Sequence, residues 1–358
     1  MSTLLGKPPY GERDDEAFLA AMVEVTRHHL RGCAFYERIW GAKGTGGPSG
    51  GWRFATRAED LPFLHVGLFK RLSLKTDAPG LEHGRTLESS STTGRSSQVL
   101  LDAQSSAWQA ESTRAIFGDA FGVSPASPAG PLLVIDDPRA LRRRGVTARA
   151  AAALSLGPLA TDLFFVGDET GSRVVWSKVD EALAVPHSEV VVYAPTWALW
   201  TAWATAEIAP TTRALLAGRR VRFVHSGGWK KLEAVGVARV RLDAALLGTA
   251  GPGSCVVDFY GLVEHVGVVY PLCAEGYRHV PVWADVLVRD PLTLGSLATE
   301  PGMLELMHPF ALGAPYHAVL TEDMGRLVPG PCRCGRRGKR FELLGRMARA
   351  ELRGCANV

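Results

Sequence analysis

Apolar residues recur at helical spacing through Phe18, Met22, Val25 and Leu30, so residues 14–36 are predicted to form one helix with a buried stripe. Residues 41–51 hold six glycines and predict a mobile loop. The apolar run at 61–70 predicts a buried segment. Residues 105–121 are predicted to be a helix. From Pro131 the pattern changes: short apolar runs at 132–136, 163–167, 190–194, 221–225 and 256–260 predict strands. Helical stretches at 147–156 and 196–208 lie between some of them. Such alternation implies an α/β fold with a largely parallel sheet.

In parallel sheets of this kind ligands sit outside the carboxyl ends of the strands. Two segments fall there, Ser226-Gly-Gly228 after the fourth strand and Gly261-Leu-Val-Glu264 after the fifth. From Val282 onward, runs at 283–288, 302–307, 316–321 and 327–328 are separated by Gly/Pro turns, which predicts an antiparallel meander attached to the same domain.

Composition narrows the class. At 358 residues, 46% hydrophobic and 21% charged, the chain has the make-up of an ordinary globular protein. The net charge is +4, and no long basic run is present, so no nucleic-acid partner is expected. The three arginines 142–144 before Gly145 predict a solvated helix end. The first thirteen residues are polar and no apolar run reaches the ~20 residues of a membrane span, so neither a leader nor a membrane is expected. Six cysteines without framework spacing predict a reduced, cytoplasmic protein. Cys332-Arg-Cys334 is two ligands short of a zinc site.

The least core-like stretch is Ser89-Ser-Ser-Thr-Thr-Gly94, followed by Arg95, Ser96 and Ser97. Hydroxyls and backbone N–H groups bent around Gly94 suit phosphate oxygens, with Arg95 adding positive charge. Taken alone, the same composition equally describes a Ser/Thr-rich surface linker. Gly47-Pro-Ser-Gly-Gly51 matches a hydrolase frame but has no strand before it, and Ser226 after His225 has no such frame, so no hydrolase site is expected. Trp197, Trp200 and Trp203 share one face of a predicted helix and are read as core rather than as the wall of an acyl pocket. His308 and His317 receive no role.

Four segments stand in a fixed order: Ser89-Ser-Ser-Thr-Thr-Gly94, Tyr260-Gly-Leu-Val-Glu264, Thr321-Glu-Asp-Met-Gly325 and Gly345-Arg346. The set resembles the adenylate-forming superfamily. The nearest branch is the acyl-protein synthetases of bacterial bioluminescence, with phenylacetate-CoA ligases next. The nearer likeness rests on Pro62-Phe-Leu-His-Val-Gly-Leu-Phe-Lys70, Gly227-Gly-Trp-Lys230, Cys332-Arg-Cys-Gly-Arg336 and Gly354-Cys355. It covers essentially the whole chain. It implies the large domain of such enzymes over 1–345 (mostly parallel sheets with helices and a small antiparallel region) and a short tail at 346–358. The superfamily's further small domain, of about a hundred residues, is expected to be missing, as in the acyl-protein synthetases.

The resemblance also implies chemistry. A carboxylic acid would be activated by ATP as an acyl-adenylate, and the acyl group passed to a thiol. Ser89, Ser90, Ser91, Thr92, Thr93 and Gly94 would cradle the β- and γ-phosphates, and Glu264 would hold Mg²⁺. Tyr260, Gly227 and Gly228 would border the adenine. Asp323 would accept from the ribose hydroxyls, and Arg346 would sit near ribose and phosphate. Cys355 would accept the acyl group, its thiolate favoured by Arg349 and Arg353. CoA or a carrier-protein phosphopantetheine are the other acceptors, and an acyl-accepting or acyl-reducing protein is the expected partner.

The chain departs from the family at Ser91, where a glycine is usual, and after Gly94, where the lysine of the CoA ligases is replaced by Arg95, Ser96 and Ser97. The serine leaves two other readings open. One is an acyltransferase that moves an acyl group from CoA to a carrier protein without ATP. The other is a non-catalytic subunit that docks a partner.

Overall fold

The computed structural model describes residues 2–41, 55–89, 96–124, 126–137, 139, 145–228 and 237–347. The chain forms two compact units. The first gathers Met1–Leu87, Arg95–Ala115 and Leu262–Val358; the second comprises Glu88–Gly94 and Ile116–Gly261.

The second unit is built on parallel strands in the spatial order Cys255–Tyr260, Arg220–Ser226, Glu189–Pro195, Leu132–Val134, Leu163–Phe165. Val190, Val192, Val221 and Phe223 are almost wholly buried, as befits strands covered on both faces. Helices Ala148–Leu156, Trp176–Ala182, Pro210–Ala217 and Arg239–Leu247 belong to the same unit. Leu133, Ile135, Leu199, Trp203, Leu216 and Leu246 join those strands in one apolar core.

The first unit holds a seven-stranded sheet. Strand Ala318–Leu327 lies antiparallel between Gly302–Met307 and Arg340–Arg346, and Leu64–His65 joins it in parallel. Beyond Gly302–Met307 lies Asp285–Arg289. Helix Asp15–Gly32 packs Phe18, Met22 and Val25 against Leu61, Leu287, Met307 and Ala318. The Asp14 carboxylate accepts from the Ala17 N–H at 2.9 Å and caps that helix.

Several elements differ from the sequence expectation. The helix predicted over 14–36 is two, Asp15–Gly32 and Ala34–Trp40, because Cys33 takes an extended backbone. Gly145, predicted to close a helix, opens strand Gly145–Thr147. The helix predicted over 196–208 is a single α-turn, Thr196–Ala198, followed by a π-helical stretch, Leu199–Ala204. The separate runs at 316–321 and 327–328 lie in or beside one strand, Ala318–Leu327. Strands His83–Glu88 and Arg340–Arg346 were not foreseen. The glycine-rich stretch lies almost wholly outside the described residues. Among the described residues no helix is long and apolar enough to cross a membrane.

Candidate active site

In the first unit, three segments far apart in sequence meet around Glu264. Strand Gln98–Asp102, which continues directly from Ser97, lies against both the 3₁₀ turn Val66–Lys70 and the 3₁₀ turn Val263–His265. The 61–70 segment is buried as predicted, through Leu61, Leu64, Val66 and Phe69. Its turn is fixed by His65, whose Nδ1 accepts from the Gly67 N–H at 3.1 Å.

Glu264 is 4% exposed. Burial pushes its carboxyl above the usual range; the Ser97 hydroxyl and the Lys70 ammonium favour the carboxylate, while Asp323 opposes it. A buried carboxylate in the field of a second one is a site that gains from a cation. The strand register sets Asp323 opposite Arg346, with the Arg346 Nε 3.5 Å from the Asp323 carboxylate. The Asp323 side chain is largely covered, and that of Arg346 is mostly exposed. The Thr321 hydroxyl donates to the Leu304 carbonyl at 2.8 Å and accepts from the Asp323 N–H at 3.1 Å, which fixes the Asp323 backbone.

The second unit gathers its own group at the carboxyl ends of adjacent strands. Ser226 pairs in register with Phe259, so the turn at Gly227-Gly228 and the strand end at Tyr260 are neighbours. Gly227 has φ +74°, a left-handed backbone that favours glycine, and a Cβ at either glycine would meet open space. Both glycines are exposed, and Tyr260 is buried. The Thr196 hydroxyl donates to the Gly227 carbonyl, and His225 Nδ1 lies 3.0 Å from the Thr196 hydroxyl oxygen. Asp258 approaches that same ring nitrogen at 3.9 Å. The Thr196 hydroxyl thereby anchors the glycine turn.

Thus Glu264, Asp323 and Arg346 stand in one unit, and Gly227, Gly228 and Tyr260 stand together in the other. Ser89 is half-buried at the edge of the hydroxyl-rich loop. Ser90, Ser91, Thr92, Thr93, Gly94 and Cys355 lie outside the described residues. Sequence reasoning missed Lys70 and Ser97 as neighbours of Glu264, although Lys70 closes a motif already singled out. His308 and His317 are fully buried in the first unit.

The fold is that of the large domain of adenylate-forming enzymes. An open conformation of 2-hydroxyisobutyryl-CoA ligase in complex with 2-HIB-AMP and CoA shares it at a TM-score of 0.64 and 15% identity, over 93% of this chain and 74% of that one. The same ligase in the postadenylation state with 2-HIB-AMP matches at a TM-score of 0.63 and 16% identity, over 93% and 68%. No curated protein matches the sequence significantly. The sequence matches the acyl-protein synthetase, LuxE, family over residues 11–358, and the chain belongs to that family. It is an enzyme of the acid–thiol ligase kind.

Proposed function

We propose that the chain activates a fatty or aromatic carboxylic acid with ATP and delivers the acyl group to a thiol, with Glu264, Asp323, Arg346, Gly227, Gly228 and Tyr260 in the roles their positions suggest. A carboxylate oxygen attacks the α-phosphorus of ATP, the bond to pyrophosphate breaks, and an acyl-adenylate forms. A thiolate then attacks the acyl carbon, and AMP leaves. The observation that carries the assignment is the convergence of Ser97, Lys70, Glu264 and Asp323 in the first unit.

In this reading Asp323 accepts from the ribose hydroxyls and Arg346, exposed beside it, meets phosphate oxygens. The open backbone at Gly227-Gly228 lets a flat purine approach closely, with Tyr260 at its edge. Glu264 would hold a Mg²⁺, which would supply positive charge to screen the nucleotide's phosphates. Lys70 and Ser97 keep the Glu264 carboxyl available as a carboxylate. The loop 89–94 would close around the terminal phosphates, and Ser91→Gly is expected to raise adenylation if the extra side chain crowds them.

Cys355 is the proposed first acceptor, with CoA or a carrier-protein pantetheine as the other thiols and a carrier or acyl-reducing protein as the partner. ATP–pyrophosphate exchange with a panel of carboxylic acids tests the reading. Glu264→Gln should lower exchange at least about 100-fold with the fold retained, since metal stabilisation of transition-state charge is worth several kcal/mol. Cys355→Ser should leave exchange intact and abolish acyl labelling of the protein. Unchanged exchange in the first variant removes Glu264 from the metal site, and persistent labelling in the second removes Cys355 as acceptor. Acyl-CoA consumption without ATP would instead establish the transferase chemistry.

A further inference from the structure

We propose that Cys273, His279, Cys332 and Cys334 form a tetrahedral zinc site in the first unit. The pair Cys332-Arg-Cys334 is two ligands short by sequence, and the fold supplies both. One ligand atom from each of the four residues lies within 4.8 Å of all the others. The Cys273 and Cys332 sulfurs are 4.0 Å apart, and Cys334 Sγ is 3.2 Å from His279 Nε2. A tetrahedron with Zn–S legs of about 2.3 Å has sulfur–sulfur edges of about 3.8 Å, so the ion is seated by closing the longest separation by about 1 Å and opening the Cys334–His279 edge slightly.

The backbone presents these ligands on two tight turns. The Cys273 carbonyl accepts from the Gly276 N–H at 2.9 Å, and the Cys332 carbonyl accepts from the Gly335 N–H at 3.1 Å. Both glycines are left-handed, at φ +81° and +84°. His279 lies on a two-residue strand paired with Arg340 in strand Arg340–Arg346. Arg333 of one turn meets Glu275 of the other at 2.7 Å. Cys273, His279 and Cys332 are buried and Cys334 is partly exposed; four protein ligands leave no open position, as in a structural site.

Charge fits as well. Three thiols lose their protons to the solvent on binding, so Zn²⁺ with three thiolates carries one net negative charge. Arg336 and Arg340 lie close enough to act on His279, and Arg340 also lies beside Cys332. Their positive charge offsets it. The site is separate from the candidate nucleotide residues. It stands at the Arg340 end of the strand that finishes at Arg346, and the six steps of ~3.3 Å between them put the two ends ~20 Å apart. Its consequence is a staple that holds two turns and the base of that strand, independent of adenylation chemistry.

Elemental analysis of the purified chain, free of any affinity tag, tests the proposal. One zinc per chain is expected, released on titration of the thiols with an organomercurial. Growth on cobalt should give a thiolate-to-cobalt charge-transfer band. Cys332→Ser and His279→Ala should each lose the metal and lower the melting temperature, whereas Cys33→Ser should keep full zinc. Wild-type protein without stoichiometric metal overturns the proposal, whether its four ligands are free or its mass is two hydrogens lighter through a Cys273–Cys332 disulfide. Full zinc retained in both ligand variants overturns it too, and iron in place of zinc overturns the choice of metal.

Discussion

Asp323 illustrates how much one carboxylate gains from its place in a strand. Its backbone is pinned by Thr321, its side chain is largely covered, and its cross-strand neighbour is a cation. Replacing it by Asn keeps the shape and removes the charge and one acceptor. A hydrogen bond to a charged group is worth about 1.5–3 kcal/mol, so Asp323→Asn should raise KM for ATP roughly tenfold or more. Steady-state kinetics with a fixed acid measure this, and an unaltered KM would take Asp323 out of the ribose site. At this scale the sequence exposed the acids but not their company. Glu264 and Asp323 were legible only as members of an ordered set of motifs. Lys70 and Ser97 reach Glu264 by tertiary packing, which leaves no spacing to read. Cys273 stands 59 positions from Cys332, and no short-range pattern could have joined them.

Among the elements, the buried parallel strands were the easiest to foresee, because apolar runs such as 190–194 need no partner to be recognised. Strand Ala318–Leu327 was harder. Its Glu322, Asp323 and Gly325 interrupt the apolar pattern, and the pairing shifts register between Met324 and Gly325. Strand Arg340–Arg346 escaped because charge at both ends hides a core residue, Phe341, that is fully buried. The tryptophans of 197–203 show the reverse case. Their spacing fits one helix face, yet the π-helical stretch separates their fates. Trp203 is wholly buried and donates from Nε1 to the Thr249 hydroxyl at 3.1 Å. Trp197 and Trp200 are only partly buried, beneath Arg149 and Arg241 respectively. Trp203→Ala should therefore cost about 3–5 kcal/mol in denaturant unfolding, and Trp200→Ala clearly less. Equal costs would mean that the three side chains act as one wall.

For the molecule as a whole, buried titratable groups set the response to acid. His29, His265, His308 and His317 are all fully buried in the first unit. Burial holds each below its ordinary value of 6.5, with His308 and His317 brought down to about 3. Below pH 6.5 the unfolded chain takes up protons that the folded one refuses, so each of these histidines lowers stability as pH falls, by up to about 1.4 kcal/mol per pH unit. Glu305 acts in the opposite sense. Burial raises its carboxyl to about 7 from an ordinary 4.5, against the pull of Arg289 at 2.6 Å. The folded state there holds a proton that the unfolded state gives up, so its contribution is lost as pH rises towards 7. Asp136 and Glu264, whose carboxyls burial also raises, act as Glu305 does; the four histidines still outnumber these three carboxyls, so stability should fall below about pH 6.5. Urea midpoints between about pH 5 and pH 8 check this. His308→Gln should flatten the slope by about one proton, and an unchanged slope would mean that His308 is already charged in the fold.

The division of the chain into an inserted second unit and a first unit gathered from both sides of it bears on biosynthesis. The long segment Ile116–Gly261 leaves the ribosome as one piece and can collapse at once. The amino-terminal helices have no such freedom. Thr26 contacts His317, which is 291 residues downstream. A growing polypeptide therefore carries much of the apolar stripe of Phe18, Met22 and Val25 uncovered until Leu287, Met307 and Ala318 have been made. That interval is when a chaperone would have most to shield.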